Sequence, residues 1–266
     1  MKRTLYLIEN GKSFTTVSRD GPSVWIKTRQ DSGRRVPVRF IDKVVIIGNV
    51  RIDVYSLILF TENQIPVLFI NNRSEEKAFI LPYNHRLNNH YKSQRAMAQS
   101  MDSVKRYKKW IKTKRMFEQL KTLRKLFKGF NFPDEIGEGN YQFIIKKLKT
   151  SEPRWSIVKD IVENFIRGVI MGRLIRAGLD PHYGIIHRRV NYGLLLDLSM
   201  IFAPAIDLQS IQFFQSKENV IVQDGRLADR GIKTIIDRFE SNRLELVQKV
   251  EQTIDELFEI MKDIRK

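Results

Sequence analysis

The hydrophobic pattern of this chain changes period once, near residue 90, and that change limits the folds open to it. Over the first eighty-odd residues, β-branched and aromatic residues fall in short runs between turn signals at Asn10-Gly11, Asp20-Gly21-Pro22 and Ser32-Gly33. Val44 to Ile47 reads as a buried strand ending at Gly48, Val54 to Phe60 as a short helix, and Pro66 to Ile70 as a further strand. From Lys92 onward, Val104, Tyr107 and Ile111, then Phe117, Leu120, Leu123 and Phe127, recur at three- and four-residue steps, the spacing of an amphipathic helix. Gly129 and Asn131-Phe132-Pro133 end that helix, and another begins near Gly139 and continues to Leu148. Trp155 to Arg176 is apolar around much of its circumference and is the expected core helix, with Gly178 as its stop. A loop over Pro181 to Asn191, some short helical pieces, and a long charged helix from Gly231 to Arg265 complete the chain. The expectation is an α+β protein with a β-rich N-terminal domain over residues 1–86 and a mainly α-helical C-terminal domain over residues 91–266. Pro82, Asn84, Asn88 and Asn89 mark the joint.

Charge narrows the function. The 266 residues carry 47 Lys and Arg against 30 Asp and Glu, a net +17, which calls for a polyanionic partner, nucleic acid first. Much of the excess is local: between Lys92 and Lys128, thirteen Lys or Arg face only Asp102 and Glu118, a balance of +11. A helix that is apolar on one face and cationic on the others can lie along a phosphate backbone, gaining affinity by counterion release without reading bases. Arg95, Arg106, Lys108, Lys109 and Lys112 are the candidate DNA contacts; the plain alternative is a solvated helix face. Tyr83, Tyr91 and Trp110 offer rings either for stacking on splayed bases or for packing at the joint and core. No apolar run approaches the roughly 20 residues needed to span a bilayer, and nothing after Met1 reads as a signal peptide, so no membrane partner is expected. The chain has no cysteine, which removes disulfides, thiolate zinc sites and cysteine nucleophiles, and is compatible with a cytoplasmic location. Any metal must be held by oxygen and imidazole.

One segment departs from generic composition. Ala177-Gly178-Leu179-Asp180-Pro181 is followed by His182-Tyr183, then Gly184, two apolar residues and His187, and ten residues later comes Asp197-Leu198. This arrangement resembles the signature of the Cas1 family, the CRISPR-associated endonucleases and integrases that insert new spacers into CRISPR arrays. The resemblance extends forward to Arg35-Val36-Pro37-Val38, Gly48-Asn49-Val50 and Ile65-Pro66-Val67-Leu68-Phe69. It extends back to Leu227, Gly231 and Phe239-Glu240, so it spans nearly the whole chain, with a helical domain shorter than usual.

The resemblance implies a divalent cation, Mg²⁺ or Mn²⁺, held by a Glu, the motif His and a carboxylate three residues past the Asp of Asp-Leu. Glu138, in Gly137-Glu138-Gly139-Asn140, is similar to the family's Glu at the start of a helix, and His187 fits the motif around it. The third position is Met200, a thioether where a hard cation needs oxygen, and Ala203 stands where the family usually carries an Arg before Pro204. Asp197, one turn away, is the candidate for the missing oxygen. The implied catalytic pair is Glu138 and His187, and the implied metal set is Glu138, His187 and Asp197. The implied reaction is in-line attack of a prespacer 3′-hydroxyl on a metal-polarised phosphate of the CRISPR repeat, with Arg188 and Arg189 neutralising charge nearby. The implied partners are DNA, as prespacer duplex and CRISPR repeat, a second copy in a homodimer, and a small ferredoxin-like second adaptation protein. Two rival readings stay open: a degenerate homologue that keeps DNA binding and assembly without the metal chemistry, and an unrelated basic nucleic-acid-binding module.

Overall fold

The computed structural model describes residues 2–9, 15–28, 32–71, 77–81, 90–149, 154–215, 222–223 and 226–262. The Asn10-Gly11 turn, the joint residues Pro82 to Asn89 with Tyr83, and Asp263 to Arg265 of the last helix lie outside the described residues. The fold is α+β, as the change of period requires. The chain forms two compact units, Met1–His85 with Asp224–Asp229, and Arg86–Gln223 with Arg230–Lys266.

The first unit carries strands β1 (Arg3–Ile8), β2 (Thr16–Asp20), β3 (Ser23–Lys27), β4 (Arg34–Pro37), β5 (Ile41–Ile47), β6 (Arg51–Ile52), β7 (Val67–Ile70) and β8 (Lys77–Ile80), with helix α1 (Val54–Glu62). One sheet runs β1-β5-β7-β8, its first three strands parallel; the other runs β4-β3-β2-β6. All seven residues of β5 are buried, Asp42 and Lys43 included, which is why its Val44–Ile47 half is a continuous apolar run rather than an alternation. The β2–β3 hairpin turns at Gly21, whose φ of 58° is the left-handed value that favours glycine at the first central position of a tight turn. Asp53 caps α1 by accepting the Ser56 N–H at 2.6 Å. Leu5, Val17, Val44, Phe60 and Val67 then close one core between the two sheets and α1.

The second unit is helical: α2 (His90–Gln99), α3 (Met101–Leu126), α4 (Glu138–Leu148), α5 (Arg154–Arg176), α6 (Gly193–Gln215) and α7 (Asp229–Lys262). Three expectations need correction. The single helix expected from Lys92 is broken at Ser100, whose hydroxyl accepts the Ser103 N–H at 3.3 Å as an N-cap; the apolar steps from Val104 to Leu123 all belong to the helix after the break and so do not reveal it. The short pieces expected after Asn191 are one helix of 23 residues with Pro204 inside it. A proline in a helix interior costs about 3 kcal/mol. Burying one Leu, Ile or Phe contributes about 1.5–3 kcal/mol, and α6 buries Leu194, Leu198, Ile201, Phe202, Ile206 and Phe213, so packing wins. By length and composition α6 also meets the measure of a membrane-crossing segment, contrary to the sequence expectation; 72% of its apolar window is buried inside the fold, where it serves as a core helix alongside α5.

Candidate metal and nucleic-acid site

Asp197 lies on the second turn of α6 and is fully buried. Its Oδ2 accepts the backbone N–H groups of Ile185 at 2.7 Å and Ile186 at 3.0 Å. Its Oδ1 accepts the N–H of His187 at 3.0 Å and lies 2.7 Å from His187 Nδ1. The carboxylate accepts three N–H groups, so the ring meets it through Nδ1, and Nε2 makes no hydrogen bond among the described residues. The ring itself is about one-third exposed, 36% by side chain. The Tyr107 hydroxyl is buried beside Asp197; burial first, then the neighbouring negative charge, raises its pKa well above the ordinary 10.0.

The loop that holds His187 is closed by two glycines. A Cβ on Gly193 would stand 2.2 Å from the His187 carbonyl oxygen and 2.8 Å from the Gly184 nitrogen, and a Cβ on Gly184 would stand 2.5 Å from the Gly193 carbonyl carbon. Backbone meets backbone there, and only glycine at both positions allows it. Gly184 belongs to the motif read from the sequence. Gly193 was not singled out, and its only sequence signal is its place at the start of an apolar run after a loop.

Glu138 is the first residue of α4, where a carboxylate also complements the helix dipole. Arg115 of α3 meets it with a bidentate fork, Nε donating to Oε2 at 2.9 Å and Nη2 to Oε1 at 2.7 Å. Gln119 donates to Oε2 at 2.6 Å and Gln142 to Oε1 at 2.9 Å. These hydrogen bonds, those from Arg115 foremost, lower the Glu138 pKa from 4.5 to about 2 against the opposing effect of partial burial. The third donor of Arg115, Nη1, reaches the Met200 carbonyl at 2.8 Å. In a regular helix that carbonyl would accept the N–H four residues on, and residue 204 is a proline with none.

The expected DNA-contacting cations divide into two groups. Lys105, Lys108, Lys109 and Lys112 occupy positions i, i+3, i+4 and i+7 of α3, so they share one face; all are exposed and make no ion pair among the described residues. Lys105 was not among the positions named from the sequence. Arg95 on α2, Arg106 on α3, and Arg188 and Arg189 in the His187 loop are exposed as well, although Arg188 Nε donates to the Ile185 carbonyl at 2.9 Å and so braces that loop. Further along α3 the basic residues are paired: Lys114 with Glu256, Arg115 with Glu138, and Lys121 and Lys125 with Glu245. Trp110 donates to Glu256 at 3.0 Å and packs on Tyr107, and Tyr91 packs edge-on to Tyr183, so both rings have structural partners.

A family model described as CRISPR associated protein Cas1 matches residues 5–149, more than half of the chain. The chain belongs to the Cas1 family. Among solved structures it is similar to a Cas1 protein from Thermotoga maritima, with a TM-score of 0.79 at 17% identity over 98% of this chain and 97% of that one. It is similar to a casposase bound to its integration product, at 0.68 and 17% over 91% and 82%, and to TtCas1 in a DNA complex, at 0.65 and 12% over 96% and 91%. Identities this low speak to the fold. No curated protein matches by sequence.

The ligand set that Cas1 resemblance implies for Mg²⁺ or Mn²⁺ does not fit the residues present. Asp197, expected as an oxygen donor, has both oxygens engaged by the 185–187 backbone and the His187 ring, so it positions that loop instead. Both oxygens of Glu138 are engaged by Arg115, Gln119 and Gln142, and Met200 offers sulfur. Among the described residues no group of three or more His, Asp and Glu could hold a metal, so Glu138, His187 and Asp197 are not joined in one ligand set. His187 alone keeps the form of a metal ligand, with a carboxylate on one ring nitrogen and the other nitrogen available.

Proposed function

We propose that this Cas1 protein handles DNA in the adaptation step of CRISPR immunity, holding prespacer duplex and repeat on the lysine face of α3. It would act in the cytoplasm as a homodimer beside a small ferredoxin-like adaptation protein. The observation that carries the reading is the unpaired lysine stripe Lys105, Lys108, Lys109 and Lys112. Seven residues of helix cover about 10 Å, enough to follow a few backbone phosphates without entering a groove. Replacing all four lysines with alanine in the full chain tests it, by fluorescence anisotropy on a duplex with single-stranded ends across a salt series. The expected result is affinity at least about tenfold lower and a log–log salt slope shallower by about 3–4, close to one unit for each phosphate that a lysine no longer neutralises. An unchanged affinity and slope would remove the reading.

A second reading, an endonuclease and integrase that inserts spacers with a divalent metal, is favoured by the His187–Asp197 pair. Strand transfer on a branched DNA with Mn²⁺ that disappears in His187→Ala would support it.

A further inference from the structure

We infer that Arg115 is a built-in cation that occupies the place of a divalent metal at Glu138 and shuts this site to Mg²⁺ and Mn²⁺. The guanidinium forms two hydrogen bonds with the Glu138 carboxylate, and Gln119 and Gln142 fill the remaining lone pairs, so each oxygen accepts twice. A hard cation entering there would have to displace a charge-matched fork that fits a carboxylate better than any single ammonium does.

What holds the guanidinium in place is the interruption of α6. Pro204 has no N–H, so the Met200 carbonyl lacks its usual helical donor, and Arg115 Nη1 donates to it at 2.8 Å. Seven residues along α3, Thr122 Oγ1 donates to the Pro204 carbonyl at 3.1 Å, a second rung between the same two helices. The side chain at position 200 is a thioether, so the residue offers the arginine an acceptor through its backbone and offers a hard cation nothing through its side chain. Met200, Pro204 and Arg115 therefore act together: one withholds an oxygen ligand, one frees a carbonyl, and one supplies fixed positive charge. The inference stands on this donor set and concerns metal binding alone. It uses the Cas1 reading to say which cation belongs there, and it does not depend on the DNA reading.

The test is a Mn²⁺ titration of the full chain followed by electron paramagnetic resonance, in which bound Mn²⁺ loses the six-line signal of the free ion. The wild type is expected to give no saturable binding that depends on Glu138. The double variant Arg115→Ala/Met200→Asp is expected to gain a saturable site, with affinity at least about tenfold above wild type, that Glu138→Ala or His187→Ala then removes. Met200→Asp alone, with the guanidinium still present, is expected to stay like wild type. A stoichiometric wild-type site abolished by a Glu138→Ala variant with native circular dichroism overturns the inference. So does Met200→Asp gaining as much as the double variant, or a double variant with native circular dichroism that gains nothing. Anisotropy on the same samples reports DNA binding separately, so failure of the lysine stripe and failure of the arginine closure are distinguishable.

Discussion

Asp197 and Glu138 are carboxylates in the same helical unit, and each accepts four hydrogen bonds, but their donors differ in kind. Three of the four donors to Asp197 are backbone N–H groups of consecutive residues, and the carboxylate is fully buried. All four donors to Glu138 come from side chains, of Arg115, Gln119 and Gln142, and its side chain is 52% exposed. Backbone donors tie a carboxylate to the path of the chain, so Asp197 fixes the conformation of the loop that presents His187. Side-chain donors tie it only to residues that substitution can exchange, and at Glu138 they fill the space a metal would need. One carboxylate preserves the geometry of a ligand loop, and the other shows how a ligand position can be closed without moving the backbone.

The largest effect that would break this contrast is at Asp197. Asp197→Ala leaves three N–H groups without their acceptor, that of Ile185 buried and those of Ile186 and His187 partly buried, at up to about 1–3 kcal/mol each, so the loss of stability should reach about 3–5 kcal/mol in urea unfolding. Asp197→Asn keeps an acceptor oxygen and should lose less. A loss below about 1 kcal/mol for the alanine variant would mean that the backbone cradle does not hold the loop. Gly193→Ala attacks the same loop from its other end. Its Cβ would stand 2.2 Å from the His187 carbonyl oxygen, so the loop must shift, at about 1–3 kcal/mol by analogy with overpacked sites. The His187 ring resonances in a histidine-edited NMR spectrum should move with it, while those of His90, on α2, should stay in place. Unchanged His187 signals in a folded variant would show that the close approach of the glycines does not position the ring.

Much of the architecture was readable because burial leaves a period in the sequence. The buried Val44–Ile47 half of β5 announced itself as a continuous apolar run, and α4, α5 and α7 begin within a few residues of where the sequence pattern places them. Where reading failed, the deciding groups carry no pattern. Pro204 reads as a helix breaker, and only the tertiary burial of α6 overrides it. The role of Asp197 depends on N–H groups that every residue type except proline possesses, so its neighbours' identities could not disclose it. Arg115 is one of thirteen basic residues in a cationic stretch, and nothing local separates the guanidinium that meets Glu138 from the lysines that face solvent. The sequence did mark the place of the disagreement, because Met200 and Ala203 depart from the family pattern next to the proline that frees the carbonyl.

The smallest expected effect is electrostatic and sharpens the contrast from the Glu138 side. Its pKa is held at about 2 in the folded protein against 4.5 for an ordinary glutamate, chiefly by the Arg115 hydrogen bonds. A depressed carboxylate contributes stability that is fully present above 4.5 and is lost as pH falls from there toward about 2, because protonation removes the acceptor charge the guanidinium pairs with. Half-exposure lets water and salt screen the pair, so this contribution should be modest and should shrink further at high ionic strength. Thermal unfolding of wild type and Glu138→Gln across that pH window checks it. The difference between the two proteins should be greatest near neutrality and vanish toward the acid end. A difference that stays constant with pH would mean that Arg115 holds Glu138 by shape rather than by charge, and a closure of that kind would be one a divalent cation could compete with.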